Sequence, residues 1–305
     1  MYDVVVIGGG PAGLSAALVL GRSRRSVLLL DAGHPRNERS AWAGGVFSRD
    51  GMHPAELLQV ARRQLARYET VEVRRATAVA ASIRADGFAV TAADGAIAAA
   101  RRLLLAHGIV DRLPNVEGVA ALWGRGIYHC PHCDGWEMRD KQLAVWADGP
   151  EAVELVPVLL PWSRDLVLLT GGPSRLSPDE RRELERHGVR IVESRIRRIE
   201  GADRLERVVL DDGSSEEPAA VFLKPEPEPA SDLAAQLGCE LSEWGLIEVG
   251  ADSQTSVPGV YAAGDAASKI HQVVVAAAAG ARAAIALHHD LAREDFVARP
   301  APRSG

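Results

Sequence analysis

The segment His129-Cys130-Pro131-His132-Cys133-Asp134-Gly135 holds the side chains best suited to chemistry: two cysteines two residues apart, with a carboxylate next to the second. A C-x-x-C pair is close enough to make and break a disulfide, and nearby cations or dipoles lower the pKa of one thiol. Asp134 is placed to give or take the proton that accompanies a leaving thiolate. Two other readings compete. Flanked by histidines, the pair is also half of a zinc site, although the third cysteine, Cys239, stands roughly a hundred residues away and a zinc ribbon normally supplies a second pair. The third reading is a pair of inert buried thiols. Packing is the role expected of Cys239 in Leu237-Gly238-Cys239-Glu240-Leu241.

A second constellation opens the chain. The apolar run Val4-Val5-Val6-Ile7 leads into Gly8-Gly9-Gly10-Pro11-Ala12-Gly13, which fits G-x-G-x-x-G between a strand and a helix. Gly8 permits the tight turn, Gly10 lets the backbone approach a pyrophosphate, and Gly13 allows close helix–strand packing. The helix that starts at Pro11 and Ala12 offers unpaired N–H groups and a positive dipole end to the phosphates. Eighteen residues past Gly13, the second strand ends in Asp31, placed to accept a hydrogen bond from a ribose hydroxyl. A ligand-free glycine turn is the plainer alternative; strand, glycines, helix and acid in the right order argue for a dinucleotide.

Near the other end stands Thr255-Ser256-Val257-Pro258-Gly259-Val260-Tyr261-Ala262-Ala263-Gly264-Asp265. It resembles the T-x-x-P-G-x-[YF]-A-x-G-D segment of FAD-dependent pyridine nucleotide–disulfide oxidoreductases. The resemblance implies FAD, with Gly264 and Asp265 at the ribityl chain and Gln272-Val273 and the helix to Ala286 against the isoalloxazine. The family's A-T-G turn appears as Ala106-His107-Gly108, which places Gly108 at the cofactor, and its Arg-Gln pair as His271-Gln272. With C-x-x-C-D-G between these two signatures, essentially the whole chain is similar to the low-molecular-weight thioredoxin reductase family. By that resemblance Cys133 faces flavin C4a, Cys130 exchanges with substrate, and Asp134 carries the proton. The fold implied is α/β, with two Rossmann-like nucleotide-binding domains, usually in a homodimer.

The elements that must position these residues alternate strand and helix from the start, the pattern of a parallel sheet. A helix is expected over about Pro11 to Gly21 and a strand over Ser26–Leu30. Val110-Asp111-Arg112-Leu113-Pro114-Asn115 and Lys224-Pro225-Glu226-Pro227-Glu228-Pro229 read as hinges; the second should be extended and absent from any central strand. A second strand–turn–helix pattern starts at Leu143-Ala144-Val145-Trp146. The expected organisation is a discontinuous FAD-binding domain, 1–113 and 224–305, with a smaller NADPH-domain-like module, 114–223, inserted and carrying the C-x-x-C. The tail from Arg299 to Gly305 is expected to fray.

Composition excludes several classes. Apolar residues make up 47% and charged residues 25%, which rules out a disordered, collagen-like or coiled-coil chain. A net charge of −6 argues against a nucleic-acid partner. Three cysteines cannot build a secreted disulfide framework. The longest apolar stretch, Val273 to Leu287, is 15 residues broken by Gly280 and Arg282, short of the roughly 20 that a bilayer needs. A cytoplasmic enzyme without membrane contact or metal is expected.

The middle module departs from the family. Its G-G-G-D-S-A loop reads Ala147-Asp148-Gly149-Pro150-Glu151-Ala152, which puts carboxylates where a pyrophosphate should sit, and Pro157 and Pro161 should disturb the following helix. The H-R-R cluster that pairs with a 2′-phosphate reads Thr170-Gly171-Gly172, with Arg175 alone nearby. Ordinary NADPH binding is therefore not expected. Family members with an eroded nicotinamide site include the dithiol oxidases that close disulfides in natural products such as gliotoxin and holomycin. The expected activity is accordingly FAD-dependent oxidation of a small-molecule dithiol, with dioxygen as acceptor. The alternative is a reductase of thioredoxin or a small disulfide, drawing on an atypically bound nicotinamide or a donor such as ferredoxin; a third reading is a flavin-binding redox sensor. His129 and His132 are candidates to stabilise a thiolate, and His271 to relay a proton or pack. Packing is expected for most of Trp123, Trp136, Trp146 and Trp162.

Overall fold

The computed structural model describes residues 1–298, so the expected fraying of 299–305 lies outside the described residues. In chain order the elements are β1 (Tyr2–Ile7), α1 (Pro11–Arg22), β2 (Val27–Leu30), α2 (Pro54–Leu65), β3 (Val71–Arg74), β4 (Ala78–Arg84), β5 (Gly87–Ala92), β6 (Ile97–Leu105) and β7 (Ile109–Arg112). Then come α3 (Val119–Leu122), β8 (Ile127–Tyr128), α4 (Pro131–Met138), β9 (Leu143–Trp146), α5 (Pro150–Leu159), β10 (Leu166–Leu169), α6 (Pro178–Arg186) and β11 (Arg190–Val192). The remainder are β12 (Ile196–Glu200), β13 (Arg207–Leu210), β14 (Ser215–Glu216), β15 (Ala220–Phe222), β16 (Glu226–Pro229), α7 (Leu233–Gln236), β17 (Val260–Ala262) and α8 (Val273–Ala298). The chain divides into two compact units, one of Met1–Glu38, Val46–Val110 and the residues from Pro227 onward, the other of Arg39–Gly45 and Asp111–Glu226. β7 and β16, which carry the chain between them, pair as a separate two-stranded ribbon, so the proline-rich segment is extended and stays out of both main sheets.

The first unit is built on a sheet of order β3-β2-β1-β6-β5-β4, with β17 also beside β6. β1, β2, β3, β6 and β17 run parallel, whereas β4 and β5 are antiparallel. The uninterrupted apolar runs of β1 and β2 are what strands covered on both faces require. Val4, Val6 and Leu29 enter one core, with α1 and α8, while Val5, Leu28 and Leu30 enter the core on the other face. On α8, a Cβ at Gly280 would lie 1.9 Å from the Ala12 carbonyl oxygen, so the two helix backbones touch there and the start of α1 is held fast. The turns after β1, β2, β6 and β17 all leave the carboxyl ends of parallel strands, the edge at which such sheets bind ligands.

The second unit has a parallel sheet of order β11-β10-β9-β15-β8. The run β9-α5-β10-α6-β11 is a doubly crossed βαβαβ half, so the β9–α5 turn is the position of a dinucleotide's phosphates. One expectation fails here. α5 continues through Pro157 to Leu159, and Pro161 falls beyond its end. Pro157 forgoes a single N–H bond near the helix terminus, while Leu155, Val156 and Leu159 are buried and hold the last turn in place. The segment Arg39–Gly45 also joins this unit: a Cβ at Gly44 would lie 2.3 Å from the Cys133 carbonyl oxygen, and Trp42 packs near Tyr128. Among the described residues, no helix is long and apolar enough to cross a membrane.

Candidate active site

In the first unit the backbone builds a cradle. Gly8 has φ +113°, and a Cβ there would sit 2.2 Å from the Ala106 carbonyl oxygen; one at Gly13 would lie 1.8 Å from the carbonyl oxygen of Gly8. Gly10, the N-cap of α1, opens on free space, with nothing within 4 Å of a Cβ. The first turn of α1, with Pro11, Ala12 and Gly13, has no acidic residue and no side-chain cap, so its amides remain available to an anion. These residues fit a dinucleotide pyrophosphate.

Asp31 is buried at the end of β2, where it accepts hydrogen bonds from the Gly33 N–H at 2.8 Å and from Arg62 at 2.7 Å. A Cβ at Gly9 would overlap its carboxylate, so Gly9 is as restricted as the motif glycines beside it. After β17, Gly264 has φ +76° and would meet the Ala12 Cβ if substituted, while Asp265 accepts a hydrogen bond from Arg36 at 3.1 Å. Gln272 gives its carbonyl to the Ala276 N–H, and Val273 begins α8. His271 Nε2 lies 2.9 Å from the Ser268 carbonyl. Beyond β6, His107 Nδ1–H donates to the Gly108 carbonyl at 3.0 Å, and burial pushes the ring below its ordinary pKa, so it is neutral at pH 7. Its Nε2 is then an acceptor, buried and without a hydrogen-bond partner among the described residues.

In the second unit Cys130 and Cys133 are joined by a disulfide. Cys130 is the N-cap of α4 and its Sγ accepts the Cys133 N–H at 3.1 Å, a position that favours a thiolate at Cys130 when the bond opens. Burial points the other way: Cys130 is 9% exposed and Cys133 is half-buried, so in this arrangement Cys133 is the more accessible sulfur. Asp134, only 6% exposed, is pushed up to about 7, chiefly by burial and then by the charge of Glu137. The Trp42 indole opposes this weakly, because its N–H lies outside hydrogen-bond geometry. Gly135 leaves room for the Trp162 ring, 2.8 Å from where a Cβ would be. His129 stacks on Trp123 and His132 meets Trp162 edge-on, while Trp136 stands 64% exposed beneath the Arg139 guanidinium.

The β9–α5 turn contrasts with the β1–α1 turn. Asp148 accepts hydrogen bonds from the Gly149 N–H at 2.8 Å, from the Arg175 N–H at 2.9 Å and from Arg175 Nε at 2.7 Å. Partial burial works against its charge, yet the Arg175 side chain and these amides outweigh it and hold the carboxyl below its ordinary pKa. Pro150 begins α5 as Pro11 begins α1, but the first turn of α5 carries Glu151, whose pKa is raised mainly by burial. Gly171 lies against Trp146, with a Cβ 3.1 Å from the indole nitrogen.

Sequence spacing did not single out Gly9, Arg36, Trp42, Arg62 or Glu137. Gly9 occupies a variable position of its motif, and Arg36, Trp42 and Arg62 reach their partners across long stretches of chain. Only Glu137, three residues after Asp134 and thus on the same helical face, carried a usable local signal.

Known proteins are similar to this chain in sequence and fold. The family described as pyridine nucleotide-disulphide oxidoreductase matches residues 2–280. Thioredoxin reductase sirT of Leptosphaeria maculans is 32% identical, over 98% of this chain and 97% of its own length. Among solved structures, that of HlmI is 39% identical with a TM-score of 0.92, covering 97% of this chain and 94% of its own. An oxidoreductase from Agrobacterium tumefaciens is 36% identical with a TM-score of 0.90, covering 96% and 99%. The chain belongs to the pyridine nucleotide-disulphide oxidoreductase family, as an FAD-dependent disulfide oxidoreductase of the thioredoxin reductase type.

Proposed function

We propose that this enzyme oxidises a substrate dithiol to a disulfide, with dioxygen as the final electron acceptor and no nicotinamide. The observation that carries the reading is the β9–α5 turn, where the chain's own Asp148 holds Arg175, in a unit that also carries the Cys130–Cys133 disulfide and the buried Asp134. Gly8, Gly10, Pro11, Ala12, Gly13, Asp31, Gly108, Gly264, Asp265, Gln272 and Val273 would hold FAD, which when bound supplies a two-electron acceptor that dioxygen reoxidises.

The chain's own part is thiol exchange. A substrate thiolate attacks Cys130 Sγ and expels Cys133 as a thiolate. The second substrate thiol then displaces Cys130, whose leaving is helped by the Cys133 N–H at the start of α4. Substrate leaves as a disulfide; the cysteine pair has gained two electrons and shares the substrate's two protons with Asp134. Asp134, ionising near neutral pH, takes a proton as the thiols react and returns it as the pair is reoxidised. Exposed Trp136, three residues beyond Cys133, offers an apolar ring against which a small-molecule dithiol can lie.

The test is stoichiometry. With dithiothreitol as the dithiol and no nicotinamide present, one dioxygen should be consumed and one hydrogen peroxide formed per disulfide closed. Dithiol oxidation without peroxide, or none at all, counts against the reading. The names of relatives such as sirT favour a second one, a disulfide reductase acting on a thioredoxin-like protein, with electrons from an atypically bound nicotinamide or from ferredoxin.

A further inference from the structure

We propose that Asp148 is the specificity-determining residue of the second unit: its carboxylate is a built-in anion that takes the place of a nucleotide phosphate and so bars dinucleotides. The inference rests on the dithiol-oxidase reading and deepens it, by tracing the loss of nicotinamide to one side chain.

The two βα turns of this chain make the comparison internal. Both follow the first strand of a parallel βαβ run, and both lead into a helix of at least ten residues that begins with proline and has a glycine N-cap. At the β1–α1 turn the first helical turn is free of acid and Gly10 opens on empty space. At the β9–α5 turn the corresponding N-cap, Gly149, has Arg175 within 4 Å of a Cβ, and Asp148, one residue before it, ties that arginine to the turn. Asp148 draws on three donors, the Gly149 N–H, the Arg175 N–H and Arg175 Nε, and the Ser174 hydroxyl stands 3.4 Å from it. Arg175 lies in the loop after β10, where a 2′-phosphate would be met by arginine in a dinucleotide fold. Its Nε is 2.7 Å from the Asp148 carboxylate although its side chain is 77% exposed. A phosphate drawn to Arg175 would have to displace a carboxylate that is also negative and already holds that arginine and two amides.

The test replaces the anion. Asp148→Ala should lower the melting temperature by about 4 °C, the scale expected when one charged acceptor of several hydrogen bonds is lost from a chain of this size. Millimolar pyrophosphate, but not chloride at matched ionic strength, should restore at least half of that loss, because the freed donors then accept an external anion. The wild type should show no such response, and the double variant Asp148→Ala/Arg175→Ala should lose the rescue. Should Asp148→Ala not survive purification, refolding yield with and without pyrophosphate provides the same comparison. Asp148→Asn, which keeps a neutral oxygen for the two amides, should fold and be rescued less. A pyrophosphate response in Asp148→Ala equal to that of the wild type, or one indifferent to Arg175, overturns the inference. Bleaching of the wild-type flavin by NADPH would instead overturn the function reading, so the two failures are distinct.

Discussion

Asp134→Asn should slow dithiol turnover by about 10²- to 10⁴-fold, the usual contribution of a positioned acid–base group, and yet make the protein more stable at alkaline pH. Both effects follow from burial of the carboxyl between Glu137 and Trp42, with a pKa pushed up to about 7. Because the folded-state pKa lies above the unfolded one, folding favours the protonated form. That contribution is fully present below about pH 4 and is lost as pH rises through 7. Asparagine cannot ionise, so the stability gap between variant and wild type should open from near zero at pH 4 to a plateau of a few kcal/mol above pH 7. Thermal melts between these limits check the sign; parallel profiles would contradict it. The wild-type rate should also rise with pH through about 7, as the carboxylate able to accept a substrate proton appears, and that inflection should vanish in Asp134→Asn.

The second large effect concerns the sulfurs. Cys130→Ser and Cys133→Ser should each lower dithiol turnover by at least about a thousandfold, because neither can close the disulfide through which electrons enter. They should differ in what they trap. Cys133→Ser keeps the sulfur at the N-cap of α4, stabilised by the amide of residue 133, and lacks the resolving thiol. Offered the oxidised product, it should accumulate a mixed disulfide at Cys130, detectable as added mass in the intact protein. Cys130→Ser should not accumulate one at Cys133. The reverse pattern would assign exchange to the sulfur that is more accessible here and would overturn the roles given to the pair.

Much of this architecture was legible in local sequence. The C-x-x-C-D-G segment, the glycine turn and the runs VVVI and VLLL are local patterns, and parallel-strand burial and helix-start chemistry act within a few residues. The helix from Pro11 and the strand ending at Leu30 followed from them, as did the extended proline segment at Glu226–Pro229. What was not legible depends on tertiary partners. Gly9 is constrained by the Asp31 carboxylate, Asp31 by Arg62, and Asp265 by Arg36, each pair well separated along the chain. Pro157 disturbs α5 less than helix propensity alone implies, because the buried Leu155, Val156 and Leu159 hold the helix in place. From sequence Asp148 is a repulsive charge; its hydrogen bonds to Gly149, Ser174 and Arg175 make it a structural part of the turn as well.

Flavin absorbance under anaerobic conditions decides whether electrons enter from thiols or from a nicotinamide. Excess NADPH should leave the yellow protein unchanged. Dithiothreitol should then bleach it, with colour and hydrogen peroxide returning on admission of air. Rapid bleaching by NADPH would contradict electron entry from thiols and make the protein a reductase with an unusual nicotinamide site.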